Sequence, residues 1–224
     1  MNSYTVALFA HILIVVYWLG ADLGRVYLAR IGAAPVAAPA ARVLAARAVL
    51  WLGTVINAAL VLILPVGISL AAALGAYRIL DASWLTATWL VAAAWLALSI
   101  AADRAAGRPG GARGLALADS VARLVIGAGH LYDGAIAFAG TSATVDARWL
   151  AAKITIYGLL ILLSIPMRRA GFLIRAEAAL LRAVPADAGA SARLAKSLAR
   201  LQTPALISWL LILVAAWLGT AKPL

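Results

Sequence analysis

Cysteine is absent from the 224 residues, and methionine and histidine occur only twice each. Without cysteine there can be no disulfide, thiolate metal site or cysteine-ligated iron–sulfur cluster. Covalent c-type haem is also excluded, because it needs a C-x-x-C-H run. The redox compartment is left open by this absence. Charge is scarce as well. Only 12% of the residues are charged and 66% are hydrophobic, with a mean hydropathy of +1.01, whereas a soluble domain is about 25% charged. Such a chain does not stay dissolved. A membrane-spanning helix needs about 20 apolar residues, so the length has room for about six spans and for no separate soluble domain beside them.

The charge that is present is mostly of one sign. Nineteen Lys and Arg against eight acidic residues give +11. In a soluble protein this balance would point to nucleic acid. Here the basic residues sit between apolar runs, where they report topology and contact with anionic lipid, and no nucleic-acid partner is expected.

Six apolar runs, 4–22, 48–75, 83–102, 115–140, 149–167 and 203–221, predict an all-α bundle of six transmembrane helices in one domain, 1–224. The first run does not read as a cleavable signal. Met1-Asn2-Ser3 carries no basic residue, and the run ends in Asp22 and Arg25 without an A-x-A site. Connections one, three and five hold fourteen Lys and Arg, and the opposite face holds four: Arg78, Arg148, Lys153 and Lys222. The positive-inside rule therefore predicts a bacterial inner-membrane protein with both termini on the outer, periplasmic side. Pro35 and Pro39 break the chain in connection one, and Gly107-Arg108-Pro109-Gly110-Gly111 reads as a turn in connection three. Connection five is different. Phe172 to Arg182 continues helix five with an amphipathic pattern and Ser191 to Gln202 leads back, which predicts a basic cytoplasmic helical hairpin. Two readings of that hairpin stand side by side: it lies on anionic headgroups, or it docks a partner.

An ionisable group in hydrocarbon costs at least about 2.5 kcal/mol on insertion scales, so each one needs a reason. On helix one, His11, Trp18, Asp22 and Arg25 fall on one stripe at about 100° per residue. On helix four, Asp119, Arg123, His130 and Asp133 do the same. Asp119 with Arg123 reads as a buried ion pair, Asp22 with Arg25 as an interfacial pair, and Asn57 as a bond across to another helix. Pro65, in Leu64-Pro65-Val66-Gly67, predicts a kink.

The two histidines lie about seven and ten residues, roughly 10 and 15 Å, below the outer ends of their helices. Two imidazoles at matched depth can ligate a non-covalent haem b between helices one and four. Gly127, Gly129 and Gly134 would let the ring approach the backbone near His130, and Trp18 would wall the His11 side. Lys153 and Arg148 would meet the propionates or an anionic substrate, and Asp133 would polarise His130 or relay a proton. Three readings remain open on the residues alone: both histidines as ligands, one as the sole axial ligand, or helix-packing hydrogen bonds.

The stretch Ala10-His11-Ile12-Leu13-Ile14-Val15-Val16-Tyr17-Trp18-Leu19-Gly20, with Arg25 beyond it, resembles the opening His-x6-Trp-x-Gly helix of the superfamily around copper-resistance protein D. That superfamily includes the small membrane protoporphyrinogen oxidase and the membrane domain of a bacterial urate-oxidising protein. Trp149-Leu150-Ala151-Ala152-Lys153 is similar to its Trp-x-x-x-Lys helix, and Leu64-Pro65-Val66-Gly67 to the break in its second helix. These motifs touch about a quarter of the chain. The resemblance implies a small helical bundle, His11 as a haem b ligand and Lys153 as a second functional residue. The chain departs from the compact oxidase in having six predicted helices with the lysine on the fifth, and it lacks the cytochrome c domain of the urate-oxidising relatives. Copper transport fits poorly, because copper(I) prefers thiolate and thioether ligands and only Met1 and Met167 are present. The expected function is a haem-b electron-transfer protein or small membrane oxidoreductase, with the lipid bilayer and a quinone or redox subunit as partners and the oligomeric state open. The competing classes are a transporter with a polar path along helix four and a structural subunit.

Overall fold

The computed structural model describes residues 2–78, 81–106 and 112–222, so the turn expected at 107–111 lies outside the described residues. The chain is all-α, with helices α1 (Ser3–Ala33), α2 (Pro39–Ala73), α3 (Ala82–Ala105), α4 (Ala112–Phe138), α5 (Arg148–Ala183), α6 (Ala188–Ala199) and α7 (Gln202–Ala221). Six helical stretches are long and apolar enough to cross a membrane, which makes this a multi-pass membrane bundle. Consecutive spanning helices α1 to α5 pack side by side and α7 closes the ring between α5 and α1, while α2 and α5 touch across its middle. The α2–α5 contact therefore divides the bundle. One side holds α1 and α7, and the other holds α3 and α4.

Three helices run well past the ends of the apolar runs. At 31, 35 and 36 residues, α1, α2 and α5 are about 46 to 54 Å long at 1.5 Å per residue, against a hydrocarbon core of about 30 Å. The excess lies on one face, at the C-terminal ends of α1 and α5 and the N-terminal end of α2. There Ala29, Ala46, Val49, Ile174, Leu181, Leu194 and Leu198 form a second apolar core, separate from the one around Trp18, Leu60, Val61, Trp95 and Ile161.

The hairpin of connection five exists, but its apolar face does not lie on headgroups. Helix α6 folds back on α5, α1 and α2, burying Ala190, Leu194 and Leu198. Its apolar stripe is thus already used within the protein. Arg42 closes this face from below, donating to the carbonyls of Ala37, at 3.1 Å, and Ala34, at 2.9 Å, in the break between α1 and α2.

On the opposite face the loops are short and capped. Gly75 and Gly140, with φ of +69° and +73°, end α2 and α4. In each case the next amide bonds back to a carbonyl five residues earlier, Ala76 to Ala71 and Thr141 to Ile136, both at 3.0 Å. The two loops are tied by a bridge between Tyr77 and Val145 and by an Arg78–Asp146 ion pair. Only glycine adopts this left-handed backbone without strain, so Gly140→Ala is expected to lower stability by about 1 kcal/mol. Thermal unfolding in detergent checks this, and an unchanged midpoint would refute the cap.

Pro65 sits within α2 without ending it, and the Ser69 hydroxyl donates to the Pro65 carbonyl at 2.7 Å. The helix carries through, as helices with proline do in membrane proteins.

Candidate functional site

On the side of the bundle away from α6, α1 presents the His11 ring to α2. A Cβ placed on Gly67 would lie 3.7 Å from His11 Cε1, ordinary van der Waals contact, so the ring stands directly against the α2 backbone there. His11 Nδ1 is buried with no hydrogen-bond partner. The charged side chain acting on His11 is Lys153, which reaches from α5 across to α7. Its ammonium would be 2.7 Å from a Cβ on Gly219, so the end of the lysine lies directly against the α7 backbone. The Lys153 and Lys222 ammonium groups stand 6.0 and 5.6 Å from the centre of the Trp149 ring. The structure thus brings together His11, Lys153, Gly67 and Gly219 from four helices. Arg148 is exposed at the first residue of α5. Trp18 is buried two turns below His11, within the central core.

His130 belongs to the other half of the bundle. Its Nδ1 lies 2.7 Å from the Ile126 carbonyl one turn back, and Tyr157 of α5 meets the ring edge-on at 4.9 Å between centroids. The Tyr157 hydroxyl donates to the Leu60 carbonyl of α2 at 2.8 Å. That bond is part of the α2–α5 contact, with α1 packed on α2 and α4 on α5, so the two histidines sit on helices that do not pack against each other. The reading with haem between helices one and four does not match this arrangement. Asp133 is exposed and influences His130 only through space, while the Ile126 carbonyl takes the position at Nδ1.

The glycines near His130 serve a different purpose from the one expected. A Cβ on Gly127 would meet Leu162 at 2.9 Å, one on Gly134 would meet the Thr155 hydroxyl at 2.1 Å, and one on Gly158 would meet the Gly127 carbonyl at 2.9 Å. They let α4 and α5 touch backbone to backbone, the usual role of small residues between membrane helices. Gly129, which faces outward, meets nothing within 4 Å. No haem wall is formed by these residues.

In the half of the bundle nearer α6, four helices share a buried polar cluster. Arg123 donates to Asp119 at 2.9 Å, to Ser164 at 2.7 Å, to Ser99 at 3.1 Å and to Asn57. Ser99 donates to Asp119 at 2.5 Å. Arg168 bridges Asp119, at 3.0 Å, and Asp103, at 2.9 Å. The Asp119–Arg123 pair and the cross-helix bond of Asn57 are as expected. Arg168, Asp103, Ser99 and Ser164 were not anticipated, because Arg168 and Asp103 sit at the ends of apolar runs and read as flanking charges. A usable signal was present: Ser99 and Asp103, like Ser164 and Arg168, are four apart and so share a face at the depth of Asp119. The Asp22–Arg25 pair, at 2.5 Å, is buried rather than interfacial, since α1 continues past it and α6 packs over the extension.

A cavity of about 80 Å³ opens against this cluster and runs from Arg175 and Arg25 past Ser208 to Trp18. Among the described residues, no three His, Cys, Asp or Glu side chains converge as a metal site. No protein-family model, curated protein or solved structure matches this chain.

Proposed function

We propose that this chain is an inner-membrane haem b protein, with both termini on the outer side, in which His11 would hold the haem iron. The observation that carries the reading is the His11 imidazole itself. It is held between α1 and α2 with a buried ring nitrogen that no protein group satisfies, and a lysine is its charged neighbour. Buried polar atoms are normally paired, and an orphan calls for a missing ligand. The site fits the group in three further respects. Gly67 brings the α2 backbone against the ring, the surrounding positions of α1 are apolar, and Lys153 offers a cation for a propionate or an anionic substrate. Lys153 and Lys222 together keep that end of the compartment positive.

Bound haem b would supply one-electron chemistry, and the protein's part is to hold it, set its polarity and exclude water. A donor on the outer side or in the membrane and a quinone or partner subunit as acceptor complete the reading as an electron-transfer protein or small oxidoreductase. A transport path along α4 draws no support from the geometry. Asp119 and Arg123 are locked to each other and to Asn57, Ser99 and Ser164, and beyond them α4 is closed against α5 at Gly127 and Gly134.

The test is the absorption spectrum of the full chain purified from haem-replete cells. A Soret band and reduced b-type α and β bands are expected, with haem content falling at least about tenfold in His11→Ala, as loss of a sole ligand requires. His130→Ala is expected to keep its haem. A colourless wild-type preparation sinks the proposal, and haem retained in His11→Ala sinks the assignment of the ligand.

A further inference from the structure

The cavity beside α6 differs chemically from the His11 compartment. Its polar lining and the groups bonded directly to that lining comprise four guanidinium groups, Arg25, Arg123, Arg168 and Arg175, and three carboxylates, Asp22, Asp103 and Asp119. Arginine stays protonated in proteins. One positive charge is therefore left without a carboxylate in a setting where an uncompensated charge is strongly unfavourable.

Asp22 and Arg25 form an ion pair at 2.5 Å, yet neither Asp22 oxygen has a hydrogen-bond partner and donors are left over as well. Arg25 is 6% exposed, lines the cavity, and has Nε buried with no hydrogen-bond acceptor. Arg175 lines the same cavity. One of its terminal nitrogens is buried without a hydrogen bond, 3.7 Å from the nearest Asp103 oxygen. Ser208, Asn57 and Thr54 add small polar groups to the walls. At about 80 Å³ the space exceeds the roughly 10–15 Å³ one water needs, which is ample for a small ion and far short of a drug-sized ligand, which takes a pocket of about 300 Å³ or more.

We infer that this cavity binds a small free inorganic monoanion of chloride size, held between Arg25 and Arg175. The anion supplies the missing negative charge and accepts from Arg25 Nε and the terminal nitrogen of Arg175 that have no acceptor of their own, tying α1 to α5 at the end of the bundle that α6 covers. Its site is independent of haem binding at His11.

The experiment compares thermal unfolding of the purified full chain in sodium chloride and in sodium gluconate at fixed ionic strength, without added phosphate. Chloride is expected to raise the midpoint saturably, by roughly 3–6 °C at concentrations well above its dissociation constant. Arg175→Gln removes the excess charge and is expected to abolish the increment. The paired replacement Asp22→Asn with Arg25→Gln, which leaves no buried carboxylate alone, is expected to reduce it at least tenfold in apparent affinity. A midpoint indifferent to chloride overturns the inference, and so does an increment that survives in both variants. An increment produced only by phosphatidylglycerol would also overturn it, by assigning the donors to a lipid phosphate.

Discussion

Asp119→Ala is expected to lower stability by about 3–5 kcal/mol, whereas Arg123→Met, in the same ion pair, is expected to be milder by roughly 2 kcal/mol. The asymmetry follows from the charges around them. Removing the carboxylate leaves Arg123, which is fully buried, donating only to neutral oxygens of Ser164, Ser99 and Asn57, and it deprives Arg168 of one of its two carboxylate partners. Removing Arg123 instead leaves Asp119 with Arg168 and Ser99. It also brings the cluster to equal numbers of guanidinium and carboxylate groups, at the expense of an unpaired oxygen on Asn57, while the Ser164 hydroxyl keeps its bond to the Ile161 carbonyl. The double replacement should be no worse than Asp119→Ala, because the stranded cation is then gone. Chemical or thermal unfolding of the three variants in one detergent decides the matter. Equal losses for the two single variants would mean that the pair acts as a simple contact and the charge balance of the cluster is irrelevant.

The cluster also marks where sequence reasoning stops. The six spans are legible because hydrocarbon imposes a length of apolar sequence that needs no partner to be recognised. The ends of α1, α2 and α5 are not legible in that way. Charge marks where the membrane ends, but a helix of Ala, Leu and Arg continues in water as readily as in lipid. Arg25, Arg30, Arg42 and Arg47 were therefore read as connection residues although all four lie in helices. The stripe on α1 was read correctly from spacing, and Trp18, Asp22 and Arg25 are buried along it. The stripe on α4 holds for Asp119 and Arg123 and fails at Asp133, which is exposed one turn beyond His130.

The pairing of His11 with His130 rests on depth alone, and depth does not tell which helices are neighbours. Two groups at one level of a ring of helices still face the same space only if their helices are neighbours across it. Here the Tyr157–Leu60 bond joins α5 to α2 between them. Lys153, expected near the haem propionates from its place at the start of helix five and as a second functional residue from the motif resemblance, reaches from α5 to Gly219 of α7.

The second large effect is expected at Gly158, where α4 and α5 meet. A Cβ there would lie 2.9 Å from the Gly127 carbonyl and 3.1 Å from the Leu131 amide nitrogen, both backbone atoms that cannot turn aside. Gly158→Leu must therefore push the helices apart, with an expected loss of about 1–3 kcal/mol or more from overpacking. Separation would also reach the site geometry, because Tyr157 is adjacent in sequence and holds both the edge of His130 and the carbonyl of Leu60. Gly129→Leu, on the open face of α4 with nothing within 4 Å, is the matched control and should unfold within a degree or two of wild type. Comparable stability of the two leucine variants would show that α4 and α5 do not touch through their backbones. A destabilised Gly158→Leu that keeps wild-type haem content would place the haem compartment on the α1 side of the α2–α5 contact, where His11 and Lys153 lie.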